Sequence, residues 1–128
     1  AENIIKSLEI VTPDANPPVR RLSGGNVQKV LVGREIAQHP TVLMVAYPVR
    51  GLDIGAIEAV HKLLLKLKEE NTAILLVSEE LEELAALADR VGVMFAGKLM
   101  GEFAVHDMDI EKIGALMAGV TDNGGEGK

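Results

Sequence analysis

No cysteine occurs among the 128 residues. Disulfides and thiolate metal sites are therefore excluded, which suits a reducing compartment. Tryptophan is also absent, and the aromatics come down to two Phe and one Tyr. With 48% apolar residues a core can form, but it must be an aliphatic one. Positive charge is scarce: 13 Lys and Arg face 19 Asp and Glu, for a net charge of −6. A general nucleic-acid surface needs a basic stripe to neutralise phosphates, so no nucleic-acid partner is expected. No apolar run approaches the roughly 20 residues of a membrane span. The first residues carry no charged-then-apolar signal segment. These absences suit a soluble, cytoplasmic polypeptide that is one domain or one piece of a larger one.

What is present is an alternation of helical and strand patterns. Ile4, Ile5 and Leu8 suit a short lead-in helix, which Pro13, Pro17 and Pro18 stop in a loop. A helix is expected from Asn26 to about Gln38, with Val27, Val30, Leu31 and Ile36 near one face and Pro40 beyond its end. Val42 to Val45 is a continuous apolar run, the pattern of a parallel strand buried on both faces. Asp53 is placed to cap a helix over 54–70, whose Ile57, Val60, Leu64 and Leu67 recur at helical spacing. Asn71 closes that helix, where a left-handed residue is tolerated. Ala73 to Val77 is a second buried strand. Ser78 is the expected cap of the helix that follows, with Glu79 and Glu80 in its first turn. Glu79, Glu80, Glu82 and Glu83 read as a solvated acidic face. Two apolar runs flank Ala96-Gly97, a hairpin signal, and a short helix over 109–117 precedes a glycine-rich tail. Strands alternating with helices argue for an α/β fold with a parallel sheet.

The stretch that organises the rest is Leu22-Ser23-Gly24-Gly25-Asn26. A hydroxyl and two glycines directly before a helix can cap the first turn and bring backbone amides close to an anion. Taken alone, such a stretch is more often an ordinary turn and cap. His39, His61 and His106 have no ligand spacing between them, and no metal site is expected. His39, before Pro40, reads as a helix-end residue, and Lys29 as one that packs on the turn without binding a ligand.

The order of these motifs over residues 18–104 resembles the nucleotide-binding domain of ABC transporters. Leu22-Ser23-Gly24-Gly25 resembles the signature motif and Val42–Val45 the Walker B strand. Pro48 with Arg50-Gly51-Leu52-Asp53 resembles the segment leading into the D-loop. Leu75-Leu76-Val77-Ser78 resembles the strand entering the switch-histidine position, and Asp89-Arg90-Val91 the segment beyond it. Asn26 together with Arg50-Gly51-Leu52-Asp53-Ile54-Gly55-Ala56 is most similar to the second ATP-binding domain of fused sugar and nucleoside importers. The Gly55-Ala56-Ile57-Glu58 run leans towards the nucleoside branch.

The resemblance implies a partial P-loop-NTPase-like parallel sheet with packed helices, lacking the N-terminal Walker A portion. Residues 1–21 would be a lead-in helix and proline-rich loop, 22–104 the C-terminal part of an ATP-binding domain, 105–120 a terminal helix and 121–128 a tail. It further implies ATP and Mg²⁺ as cofactors of the intact parent. The partners would be a second ATP-binding domain and transmembrane permease subunits. The place of work would be the cytoplasmic face of the membrane, as a peripheral protein.

Three departures qualify the resemblance. The phosphate loop Gly-x-x-x-x-Gly-Lys-Ser/Thr is absent, so tight ATP binding has no evident source in this chain. Ala46 and Tyr47 stand at the expected Walker B carboxylate positions, and neither side chain is a carboxylate. Glu79 stands at the switch position, where a carboxylate would repel a γ-phosphate. No catalytic residue is therefore expected here. Leu22, Ser23, Gly24, Gly25 and Asn26 would instead contact ATP in trans, in a partner domain's site. Gly51, Leu52 and Asp53 would lie at the interface. The alternative is a non-hydrolysing regulatory or dimerisation module that binds a partner ATPase domain. A chromosome-maintenance or DNA-repair ATPase fits poorly, because nothing shows the sustained heptads of a coiled coil.

Overall fold

A computed structural model describes residues 24–121. The expected lead-in helix and proline-rich loop, Leu22 and Ser23, and the tail from residue 122 lie outside the described residues. The chain divides into two compact units, with the boundary between Glu79 and Glu80.

The first unit is built on a parallel strand pair. Helix α1 (Gly24–Ile36) leads to strand β1 (Val42–Ala46), then helix α2 (Ile54–Glu69) and strand β2 (Ala73–Val77). β1 and β2 run parallel from Val42↔Ala73 to Ala46↔Val77. Parallel neighbours need a crossover, and α2 supplies it. The helix presents Ala56, Val60, Leu64 and Leu67 as its buried stripe and packs on both α1 and β2. Its lysines at 62, 66 and 68 are exposed, as the amphipathic pattern requires. Asn71 adopts φ 64, the left-handed closure expected of it. Behind it, the Thr72 hydroxyl donates to the carbonyl of Pro40 at 2.9 Å, which ties the entrance of β2 to the entrance of β1.

The strands are not buried on both faces, contrary to the reading of their apolar runs. Leu43 is buried and Val45, Ile74 and Leu76 are half-buried, but Val42, Met44, Leu75 and Val77 are exposed. Alternation puts these two sets on opposite faces, and only one face carries helices of this unit. α1 also differs from expectation. It starts at Gly24 and stops at Ile36, so His39 lies beyond the helix end in a left-handed turn with φ 48. Lys29 and Val32 are buried while Leu31 is exposed, because the helix is rotated from the face that its apolar residues suggest.

The second unit comprises helix α3 (Leu81–Leu87), strands β3 (Arg90–Phe95) and β4 (Lys98–Ala104), a 3-10 turn (Val105–Asp107) and helix α4 (Ile110–Met117). β3 and β4 form the expected antiparallel hairpin. Both turn residues have positive φ, 47 at Ala96 and 78 at Gly97, as a two-residue turn matching strand twist demands. A register shift between Val93 and Met94 marks a bulge. Val93 packs with Ile113 and Leu116 of α4, and Leu81, Met100, Phe103 and Met108 border the cluster. Asp109 caps α4 by accepting from the amides of Glu111 and Lys112.

Ser78 does not cap α3. The N-cap is Glu80, without a side-chain capping bond, and the first turn holds Glu82 and Glu83. β2 runs to Val77 and α3 starts at Leu81, so Ser78 lies two residues before the N-cap position. Nor are the four glutamates one solvated face, since Glu83 is buried. No helix among the described residues is long and apolar enough to cross a membrane.

Candidate functional site

The candidate site lies at the carboxyl ends of β1 and β2, where open α/β sheets bind ligands. The ladder continues past the strand ends, because the Tyr47 amide donates to the Val77 carbonyl at 2.8 Å. Tyr47 adopts φ 51, a left-handed conformation that strains a non-glycine residue. The chain then folds back. The Arg50 amide donates to Tyr47 at 3.3 Å and the Leu52 amide to Val49 at 3.1 Å, while Pro48 and Val49 anchor the turn in the core. The conformation suits the left-handed preference of Gly51, whose φ is 73.

Asp53 ends this turn and starts α2. Its Oδ1 accepts from the Ala56 amide at 2.9 Å, the expected N-cap contact. Gly51, Leu52 and Asp53 are therefore held in one short segment between β1 and α2. Gly51 and Asp53 are exposed and Leu52 is half-buried.

Ala46 and Tyr47, at and just after the end of β1, lie beside the end of β2, which leads to Glu79. Ala46 is the last residue of β1, opposite Val77, and Glu79 follows β2 by two residues. Ala46 offers no acceptor side chain and Tyr47 offers a phenol. The Glu79 carboxylate faces Arg50, with Arg50 Nη2 3.9 Å from Glu79 Oε1. The guanidinium also lies over the Tyr47 ring, 5.5 Å from its centroid. Sequence reasoning did not single out Arg50, because its position depends on the left-handed turn at Tyr47. This set of groups does not fit Mg²⁺: two of the three positions lack a carboxylate, and the third is paired with a cation. Among the described residues, no group of three or more His, Cys, Asp or Glu could hold a metal ion.

Of the signature stretch, Gly24, Gly25 and Asn26 form the first turn of α1, and Asn26 is half-buried. The first amides of a helix have no intrahelical partners, and two glycines there carry no Cβ. This end of the helix fits an anion such as a phosphate.

A scan against protein-family profiles finds no match. Curated proteins do match. The guanosine import ATP-binding protein NupO of Bacillus subtilis is 44% identical over 121 residues, covering 94% of this chain and 24% of the relative. The ribose import ATP-binding protein RbsA of Yersinia pestis is 37% identical over 123 residues, covering 96% of this chain and 24% of the relative. The nucleoside import ATP-binding protein NupA of Lactococcus lactis is 42% identical over 98 residues, covering 77% and 19%. The chain thus spans about a quarter or less of the length of these relatives.

Solved structures give the same fold. The dimeric post-hydrolysis ATP-binding cassette MJ0796, bound to ADP and Pi, aligns with a TM-score of 0.72 at 24% identity, covering 81% of this chain and 45% of that one. An ATP-binding subunit of an ABC transporter aligns with a TM-score of 0.77 at 16% identity, covering 91% and 52%. The chain belongs to the ABC transporter nucleotide-binding domains, of which it matches a part.

Proposed function

We propose that this chain serves as the signature-bearing part of the ATP-binding subunit of an ABC importer for nucleosides or sugars. Leu22, Ser23, Gly24, Gly25 and Asn26 contact the ATP of a partner domain in trans. The Ser23 hydroxyl, the first amides of α1 and the helix dipole stabilise γ-phosphate charge and favour closure of the pair. Gly51, Leu52 and Asp53 lie at the interface with that domain. Residues 22–104 are the cassette portion, and 105–120 a following segment that carries α4. Permease subunits are the membrane partners, and the work is done peripherally on the cytoplasmic face.

The chain's own strand-end site is degenerate. The observation that carries this reading is that β1 ends at Ala46 and is followed by Tyr47, with Glu79 beside Arg50, while α1 opens on Gly24-Gly25. ATP and Mg²⁺ are cofactors of the assembled importer. ATP supplies a γ-phosphoryl group whose charge the signature stabilises, and Mg²⁺ belongs to the partner domain's site. The nucleoside preference is supported by the names of NupO and NupA, and the sugar alternative by that of RbsA.

The test is to restore Ala46→Asp and Tyr47→Glu together in the full-length importer ATPase. If the site responds to nucleotide and lacks only its carboxylates, ATP turnover rises. No change in turnover favours the rival module that binds a partner domain and hydrolyses nothing.

A further inference from the structure

The Arg50 guanidinium is a cation at the carboxyl ends of the parallel pair, and two groups lie against it. Tyr47 lies beneath it with the ring centroid 5.5 Å away, and Glu79 approaches it at 3.9 Å. The backbone that places it is firmly built. Tyr47 is bonded to Val77 across the strands, Arg50 is bonded back to Tyr47, and Pro48 and Val49 are buried between them. The two charged side chains, by contrast, lie in water, 72% and 59% exposed. A pair so exposed and so long is weak, because solvent screens it and both side chains lose entropy in holding it. Glu79 is therefore an anion that another anion can displace. A phosphate dianion carries more charge than a carboxylate and matches the planar fork of a guanidinium with two parallel hydrogen bonds.

We propose that Arg50 is a phosphate-binding residue, for a free phosphate or the terminal phosphate of a nucleotide, and that Glu79 is the internal anion occupying it. Tyr47 keeps the guanidinium at the strand ends once Glu79 is displaced, since a cation over an aromatic face is retained without a counter-ion. With Glu79 in place the site is self-neutralised and repels an incoming phosphate. The proposal rests on this cluster alone and does not require that the signature act in trans.

The test titrates inorganic phosphate and, separately, ADP without metal into the 128-residue chain at constant ionic strength. Amide shifts of residues 46–53 and 78–80 are followed by NMR. Glu79→Gln removes the internal anion and is expected to tighten phosphate binding about two- to fivefold, the scale of losing one competing surface pair. Adding Arg50→Gln to that variant is expected to abolish the gain. Equal affinities for phosphate and ADP would identify the free anion as sufficient, and tighter ADP binding the nucleotide as the source; either supports the site. Affinity changed less than twofold by Glu79→Gln, or a gain that survives loss of Arg50, would overturn the proposal. Both residues are exposed, and the dispersion of the amide spectrum reports that each variant is folded.

Discussion

The Tyr47 amide, one residue beyond the end of β1, donates to the carbonyl of Val77, the last residue of β2, at 2.8 Å. That bond fixes the segment after β1 against the end of β2. It gives Ala46, Tyr47 and Glu79 a shared place, so their chemistry can be judged together and not one residue at a time. A rigid ladder delivers the strand ends of an ATP-binding cassette, but a hydrocarbon, a phenol and a paired carboxylate arrive there.

Asp53 is proposed to lie at an interface, yet it also caps α2 through Ala56 at 2.9 Å. Asp53→Ala is expected to cost about 1 kcal/mol, the usual loss of an N-cap. Asp53→Asn, which keeps an acceptor at the same place, is expected to retain most of that stability. Urea unfolding of the two variants measures the difference. An equal loss in both would mean that the negative charge, and not the cap geometry, stabilises the helix.

The core of the first unit is carried by α2. Leu67 and Leu64 are 1% and 2% exposed, whereas Ile54 is 77% exposed on the same helix. Leu67→Ala is expected to destabilise by about 2–5 kcal/mol through lost burial and a residual cavity. Ile54→Ala is expected to stay within about 0.5 kcal/mol, as surface changes do. Chemical denaturation of both variants checks the contrast.

Much of both units was legible because the signals are local. The capping role of Asp53, the left-handed Asn71 and the turn at Ala96-Gly97 each follow from the chemistry of one or two residues, and the structure contains all three. The burial of β1 and β2 was not legible. An apolar run such as Val42 to Val45 says that a strand can be covered on both sides, and only tertiary structure decides whether it is. Ser78 and Glu83 misled for a related reason: a shift of two residues in the start of α3 changes the cap and turns one glutamate inward. Tyr47 and Glu79 were named from the motifs, but that Arg50 joins them had no sequence signal, since its place depends on a strained backbone angle. Leu22 and Ser23, central to the resemblance, lie outside the described residues.

Gly119 and Gly97 have nearly the same backbone angle, φ 79 and φ 78, but different surroundings. A Cβ on Gly119 would collide with the Phe95 ring, while one on Gly97 would meet nothing within 4 Å. Gly97→Ala is expected to cost about 1 kcal/mol, from conformational strain alone. Gly119→Ala adds a collision with Phe95, so its melting temperature should fall further. Thermal unfolding of the two variants separates strain from crowding, and equal losses would show that Phe95 moves aside freely.

Thr72 is buried, and its hydroxyl donates to the Pro40 carbonyl at 2.9 Å across the strand entrances. Thr72→Val keeps the shape and removes the donor. A loss of about 0.5–1.5 kcal/mol is expected, rising towards 3 if the carbonyl is left without a replacement partner. Equilibrium unfolding reads this directly.

The central claim is that the signature stretch completes a partner domain's ATP site. Its most direct measurement is ATP hydrolysis by the full-length importer ATPase carrying Ser23→Arg, with thermal unfolding as the control for folding. Arginine there replaces a small hydroxyl residue with a bulky side chain next to Gly24-Gly25, where this account has phosphate approach the chain. The account predicts that hydrolysis falls to background while the unfolding temperature is unchanged. Unaltered turnover in a folded variant would contradict it.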